Sequence, residues 1–275
     1  MNKADIYFRQ VMQEIKDNGS YDQNPRPKYE DRTPAYTKFI TQHFEQYDLS
    51  KGEFPITTLR NTAIKTAITE ILWIYQLASN DLKVLNDLNC NWWNEFDIGD
   101  STIGFRYGHT VQRYGLMYKL LDGLINNPFS RRHIINLWQE EEFKDGDGLH
   151  PCAYETLWSV RKVGGEMYLD MTLIQRSSDF LMAKVINSVQ YVTLQMMVAG
   201  HCGYKVGKFA HFIQNAHIYD RHEWALDELL NRKPSDYQPS IQLVSQKDFY
   251  EYKVDDFIIN QGKVEKLSQK LEIAI

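Results

Sequence analysis

The stretch 157–173 restricts the fold more than any other part of the chain. Met167, Leu169, Met171 and Leu173 alternate with Tyr168, Asp170 and Thr172, the period-two pattern of a strand with one buried face. Gly164-Gly165 stands just ahead and supplies two residues that accept positive φ in a tight turn, so the run 157–163 is predicted to form the other arm of a hairpin. Residues 133–138 and 209–219 also read as extended. Ile64, Ala67, Ile68, Ile71, Leu72 and Tyr75 follow helical spacing and predict an amphipathic helix, with Glu70 at the border of its apolar stripe. Val189, Val192, Met196 and Ala199 repeat at the same spacing in a segment that is apolar nearly all round, which predicts a buried helix. Strands clustered in the middle and flanked by long helices point to an α+β fold, with helices covering a mixed sheet. No internal repeat and no Ser/Gly/Pro linker divides the sequence, so residues 1–275 are expected to form a single domain.

Composition removes several classes of function. The 275 residues carry 31 Lys+Arg against 36 Asp+Glu, a formal charge of −5. With no long basic run, there is no electrostatic reason to expect DNA or an anionic membrane as the main partner. No window approaches the roughly 20 apolar residues needed to cross a bilayer, and the N-terminus lacks an apolar signal core, so a cytoplasmic location is expected. Three cysteines, Cys90, Cys152 and Cys202, lie far apart with no CxxC pair. Neither a disulfide framework nor a bound metal is suggested. Any cysteine chemistry must come from one thiol.

His150-Pro151-Cys152 sets such a thiol directly after a proline, at the entrance to a strand. A lone cysteine is ordinarily a packing residue, and it becomes a nucleophile only where its surroundings favour the thiolate. Gln175-Arg176-Ser177-Ser178-Asp179 offers them, because there the alternating strand breaks into polar residues that include a guanidinium. An arginine ending a core strand needs an anionic partner. A thiolate, whose pKa falls beside a fixed positive charge, and a phosphate, gripped through two hydrogen bonds, both suit it and both favour a nucleotide site. A salt bridge to Asp179 or a nearby acid is the purely structural alternative. Arg131 and Arg132 are adjacent at the start of an extended stretch, where a solvated pair is the default. Asn187 falls where the buried helix begins and would by default cap it. His217 and Tyr219, two apart in an extended segment, leave the same face, so they either grip one ligand together or fill core. Cys152 and His217 have the residue types of a Cys–His hydrolase, but nothing local pairs them.

Taken in order, Ser130-Arg131-Arg132, Pro151-Cys152, Gln175-Arg176-Ser177-Ser178-Asp179, Asn187 and His217-Ile218-Tyr219 resemble the folate-dependent thymidylate synthase family. The likeness runs essentially end to end, taking in Arg26, Glu70, Trp93, Tyr107-Gly108 and the terminal Ile273-Ala274-Ile275. Each motif is short, but their joint order is highly specific. The resemblance implies a three-layer α+β fold whose twisted mixed sheet packs one face against a twin in a homodimer. It implies reductive methylation of deoxyuridine monophosphate (dUMP) to thymidine monophosphate, with 5,10-methylenetetrahydrofolate giving the carbon and a hydride and leaving as dihydrofolate. In such a site Cys152 would add covalently at C6 of uracil, turning C5 into a competent nucleophile. Glu70, through ordered water, would protonate and stabilise the charge at O4, and Tyr107 would help remove the C5 proton. Asn187 would select uracil over cytosine. Arg26, Arg176, Ser177 and, from the other subunit, Arg131 and Arg132 would hold the phosphate, with Gln175 in the same substrate wall. His217 and Tyr219 would take the ribose hydroxyl. Asp179 would hold the pterin, Trp93, Phe96, Met182 and Ile186 would wall the folate pocket and exclude water, and the tail with Ala274 would close over both ligands.

This chain departs from the family's usual pattern at several places. Ala153 follows the cysteine where histidine is common, Leu157 replaces a usual glutamine, and Gln214-Asn215 stands for Gly-Asp. Met182-Ala183 stands for Leu-Gly, and Phe96 for a frequent second tryptophan. None of these removes a group that forms or breaks a bond. Two other functions compete: a pyrimidine nucleotide hydroxymethylase on the same fold, and a non-catalytic nucleotide- or RNA-binding regulator. Asn187 in place of aspartate and the presence of Trp93 argue against the first. Retention of Cys152, Glu70, Tyr107 and Arg176 together argues against the second.

Overall fold

A computed structural model describes residues 1–144 and 148–275. The expected hairpin is present. Strands β4 (Ala153–Val163) and β5 (Glu166–Gln175) pair antiparallel, with Val163 opposite Glu166 and Trp158 opposite Met171. Both residues of the turn have positive φ, +59° at Gly164 and +88° at Gly165, the primed-turn geometry that matches the twist of the flanking strands. The extended segment expected at 209–219 is longer than foreseen, β7 (Lys205–Tyr219), and pairs parallel with β5. On its other side β7 pairs antiparallel with β2 (Thr37–Asp48). Short β1 (Ser20–Tyr21) and β3 (Ile134–Asn136) close the edges, giving the order β1-β2-β7-β5-β4-β3. The two-residue strand β6 (Ser178–Asp179) lies beside the end of β7. Of the stretch 133–138 only Ile134–Asn136 is strand.

Parallel neighbours need a crossover, and the helix that spans Lys184–Cys202 provides it between β6 and β7. This buried helix packs on β5 and β7 on one side and on the helix Ile64–Ile71 on the other, so sheet, central helix and outer helix form three layers. The core between sheet and central helix takes Leu169, Met171, Leu173, Phe209 and Ile213 from the sheet and Val189, Val192 and Met197 from the helix, all at most 2% exposed. The central helix also carries one buried cation. Lys184 Nζ is 2.5 Å from Glu45 on β2, whose carboxylate is met as well by His43 at 2.8 Å and the Tyr47 hydroxyl at 2.5 Å.

The outer helix differs from the expectation. It is α-helical only to Ile71 and continues as a π-turn over Leu72–Gln76, where the Leu77 N–H donates to the Leu72 carbonyl at 2.9 Å. Leu72, Trp73, Ile74 and Tyr75 are all buried. The wider turn adds one residue to that turn of the helix.

With the helices on one face, the opposite face of the sheet is left to this chain's surface. Phe44 on β2 is 51% exposed and sits opposite Phe212 on β7, which in turn is opposite Ile174 on β5. Ile134, 46% exposed, is paired with Leu157 at the far edge. The outward row is therefore apolar across β2, β7 and β5, and turns polar at Glu155 on β4, which is opposite Ile174.

Candidate active site

A cleft of about 810 Å³ opens where β5, β7 and the central helix end. Its lining includes Arg26, Glu70, Trp93, Phe96, Tyr107, Cys152, Gln175, Arg176, Ser177, Asp179, Met182, Ile186, Asn187, His217, Tyr219 and the tail residues Ile273, Ala274 and Ile275. Every site residue expected from the sequence is there except Arg131 and Arg132. Those two are exposed just before β3 and stand outside their own chain's cleft.

Cys152 sits at the lip of β4, with Sγ 3.5 Å from Arg176 Nη2 and 3.7 Å from the His150 carbonyl. Arg176 is fixed by its neighbours. Its Nε donates to the Pro151 carbonyl and its Nη2 to that of His150, both at 2.9 Å, its backbone N–H donates to the Cys152 carbonyl at 2.9 Å, and its guanidinium lies over the Trp138 ring at 5.5 Å. Among the described residues no carboxylate pairs with it, so the structural salt bridge to Asp179 is not formed. The expectation of a thiol lowered by that charge needs correction. Burial pushes the Cys152 thiol up, Arg176 and Arg26 pull it down, and the net direction is upward. The resting sulfur is therefore a thiol, and the guanidinium groups stabilise the anion when it forms.

Tyr107 reaches the same sulfur's residue from the opposite wall. Its hydroxyl accepts from the Cys152 backbone N–H at 3.0 Å. The ring is held there by an unusual backbone, φ +50° and ψ −108°, at the start of the helix Gly108–Tyr114, a conformation costly for a residue with a Cβ. Gly108 must be glycine because a Cβ would collide with the backbone of Ser79. The strained Tyr107 and the crowded Gly108 are the physical content of the Tyr-Gly pair.

Glu70 points into the cleft from the outer helix and is 6% exposed. Burial pushes its carboxyl up to about 7, against the stabilising indoles of Trp92 and Trp93 and the amide of Gln190. A carboxyl poised near neutrality suits proton transfer. Asn187 does not cap the central helix. Ala183 holds that position, and the Asn187 N–H already bonds the Ala183 carbonyl within the first turn. Its side chain instead accepts from Gln175 Nε2 and donates to Gln190 Oε1, each at 3.0 Å.

His217 and Tyr219 do stand side by side on β7, ring centroids 5.5 Å apart. Burial lowers His217 to about 4, so it is neutral, and its Nδ1 lies 2.9 Å from Asn215 Oδ1. Asp179 accepts from the Leu181 and Met182 N–H groups at 3.0 Å each. Burial raises its carboxyl to about 6, and Arg60 opposes the shift. Trp93 packs edge-on against Phe96 and Tyr107 at 5.4 and 5.3 Å, and with Met182 and Ile186 it makes a flat apolar wall that fits a heteroaromatic ring system. The tail is pinned across the opening. Lys28 N–H donates to the Ile275 carbonyl at 2.7 Å and Ile275 N–H to the Lys28 carbonyl at 2.9 Å, while Glu272 meets Arg221 at 2.7 Å.

Some contributors were not anticipated from the sequence. Trp92, Leu149, Asp22 and Asn24 line the cleft, and Gln190 and His211 stand behind it. The Trp92-Trp93 doublet was a visible signal; the others carry none, since only the fold brings them near Cys152.

The thymidylate synthase family model matches residues 6–274 of this chain. A thymidylate synthase of Streptococcus pneumoniae is 50% identical and one of Streptococcus sanguinis 48% identical, each over 100% of both chains. Among solved structures, the thermostable thymidylate synthase A from Bacillus subtilis superposes with a TM-score of 0.88 at 34% identity, covering 99% of each chain. With likeness in sequence and in backbone running from one end to the other, over a cleft that gathers a thiol, a guanidinium and a near-neutral carboxyl, the protein belongs to the thymidylate synthase family and is a methyltransferase of that kind.

Proposed function

We propose the following division of labour among the cleft residues for the conversion of dUMP to thymidine monophosphate. Cys152 adds to C6 of uracil, and the new C–S bond leaves the electron pair spread over C5, C4 and O4, making C5 nucleophilic. Arg176 and Arg26 stabilise the thiolate as it forms and, with Ser177, bind the phosphate. Asn187 reads the pyrimidine edge. His217, neutral, and Tyr219 bind the ribose hydroxyl from one face of β7. Glu70 delivers a proton toward O4, and the Tyr107 hydroxyl takes part in removing the C5 proton. Methylenetetrahydrofolate, the family's co-substrate, supplies a one-carbon unit and a hydride when bound. Trp93, Phe96, Met182 and Ile186 hold it flat and exclude water, Asp179 accepts from its pterin, and the tail with Ala274 covers it. The single observation that carries this assignment is the Sγ of Cys152 lying 3.5 Å from an arginine that has no acid partner among the described residues.

We also infer a homodimer joined through the outer sheet face. An apolar row with Phe44 half-exposed is the surface a monomer would hide. Arg131 and Arg132 stand free of their own cleft, as donors to a neighbour's phosphate site would. Among the described residues no helix is long and apolar enough to cross a membrane, and a cytoplasmic location remains our proposal.

The test is direct. A fluorinated uracil nucleotide with methylenetetrahydrofolate should leave an adduct on Cys152 and none on Cys152→Ala; absence of adduct on the unmodified protein would favour a non-catalytic regulator. Turnover with dUMP should release dihydrofolate stoichiometrically, whereas hydroxymethyl nucleotide without dihydrofolate would identify a hydroxymethylase.

A further inference from the structure

Behind Asn187 runs a buried chain of hydrogen bonds whose polarity is set at one end. Gln175, 1% exposed, donates its two Nε2 hydrogens to the Ser177 backbone carbonyl at 2.9 Å and to Asn187 Oδ1 at 3.0 Å. A backbone carbonyl can only accept, so the Gln175 amide has one orientation, and its Oε1 must face His211 Nε2, 2.9 Å away. Burial lowers His211 to about 3, so the ring is neutral. It therefore carries its proton on Nε2, and Nδ1 is an acceptor 3.0 Å from the Ser188 hydroxyl, whose one hydrogen lies between it and the Lys184 carbonyl, also at 3.0 Å. With Oδ1 of Asn187 fixed toward Gln175, its Nδ2 faces Gln190 Oε1 at 3.0 Å. Gln190 is thereby oriented too. Its Nε2 is buried and has no hydrogen-bond partner among the described residues, and its amide works against burial to hold the Glu70 carboxyl down.

Resting on the thymidylate synthase assignment, the geometry points to Gln190 as a positioning residue that locks the Asn187 amide in its uracil-reading orientation, with its own amide beside the catalytic Glu70. Each atom of the Asn187 amide keeps one free valence for the cleft: a hydrogen on Nδ2 and a lone pair on Oδ1. That pair complements O4 and N3–H of uracil. Cytosine presents the reverse pattern, which only a flipped amide would suit, and the flip would set Nδ2 against the Gln175 Nε2 donor and Oδ1 against Gln190 Oε1. Rejection of cytosine thus depends on neighbours that never touch the base.

The readout is a split between two properties. The variants are Gln190→Leu, which removes the acceptor for Asn187 Nδ2 and the amide beside Glu70, and Gln190→Glu, which keeps an acceptor for Asn187 Nδ2 but sets a carboxyl where that amide stood. Competition of dCMP against dUMP measures discrimination, and the pH dependence of dUMP turnover reports Glu70. The titratable groups facing Glu70 besides are Cys90, Tyr107 and Tyr191, all unchanged in both variants. Gln190→Leu should reduce discrimination about tenfold and move the Glu70 limb to higher pH. Gln190→Glu should move the limb while retaining discrimination. A role in packing alone would lower stability and leave both ratio and limb in place, and that result for Gln190→Leu overturns the inference. If Gln190→Leu does not fold, loss of discrimination in Gln190→Glu, whose side chain still accepts from Asn187 Nδ2, overturns it. Unmodified enzyme that fails to turn over dUMP would instead overturn the underlying assignment.

Discussion

Cys152, half-buried, and Glu70, buried, are both held away from their ordinary protonation behaviour, and each makes a measurable demand. For Cys152, burial outweighs the pull of Arg176 and Arg26. Arg176→Ala should raise the thiol further and slow adduct formation about a hundredfold, read by trapping kinetics with the fluorinated nucleotide. The loss should shrink as pH rises and the thiol ionises without help. For Glu70, raised to about 7 by burial, the protonated form dominates below neutrality and is lost as pH climbs. Glu70→Gln should cost about 10²- to 10⁴-fold in turnover and erase the limb near pH 7. The sign for stability is opposite to that of a salt-bridged acid. The folded state binds a proton that the unfolded chain releases near its ordinary carboxylate pKa, so wild-type stability falls between about pH 4.5 and 7. Glu70→Gln removes that loss. Comparing its unfolding with wild type at pH 4.5 and pH 8 should show a relative gain of about 3 kcal/mol at the higher pH.

Elements decide how firmly those residues are held. The helix Lys184–Cys202 carries Asn187 and Gln190 over the sheet, and its first residue is the buried partner of Glu45. Lys184→Met should destabilise the protein by about 3–5 kcal/mol, because the Glu45 charge would be left in the core with only His43 and the Tyr47 hydroxyl to meet it. Adding Glu45→Gln should recover part of that loss in a denaturant titration, and failure to recover would show that Lys184 acts by packing. The C-terminal tail is a weaker element, joined to the N-terminal loop by the Lys28 and Ile275 backbone pair and by Arg221, which also meets Asp31 and covers Tyr29 at 4.0 Å. Removing Arg221 releases solvent-screened ion pairs to Asp31 and Glu272. Arg221→Ala should therefore raise the folate KM about fivefold while dUMP binding in the binary complex stays unchanged.

At the scale of the whole molecule, the apolar outer sheet face and the outlying Arg131 and Arg132 make one joint prediction. Phe212→Glu, placed between Phe44 and Ile174, should dissociate the dimer by light scattering and abolish activity with it. Arg131→Ala alone should lose about ten- to a hundredfold in kcat/KM for dUMP, the scale of a charge-assisted phosphate contact. Mixed and reassociated with Cys152→Ala chains it should regain about a quarter of full activity, because each random hybrid restores one of two sites. Recovery of nothing at any mixing ratio would place those arginines outside the phosphate site.

What the sequence determined was whatever depends on local pattern. Alternation and the Gly164-Gly165 doublet specified the hairpin, continuous apolar spacing specified the central helix, and the ordered short motifs named the residues that meet in the cleft, because backbone geometry and one-sided burial are written in neighbouring residues. The tertiary structure decided what depends on surroundings. The helix that apolar spacing predicts as regular turns π over Leu72–Gln76, and Asn187 becomes a hydrogen-bonded reader instead of a cap because Gln175 and Gln190 bracket it. Cys152 is raised, not lowered, because desolvation acts on the whole environment of a group while sequence shows only its neighbours along the chain.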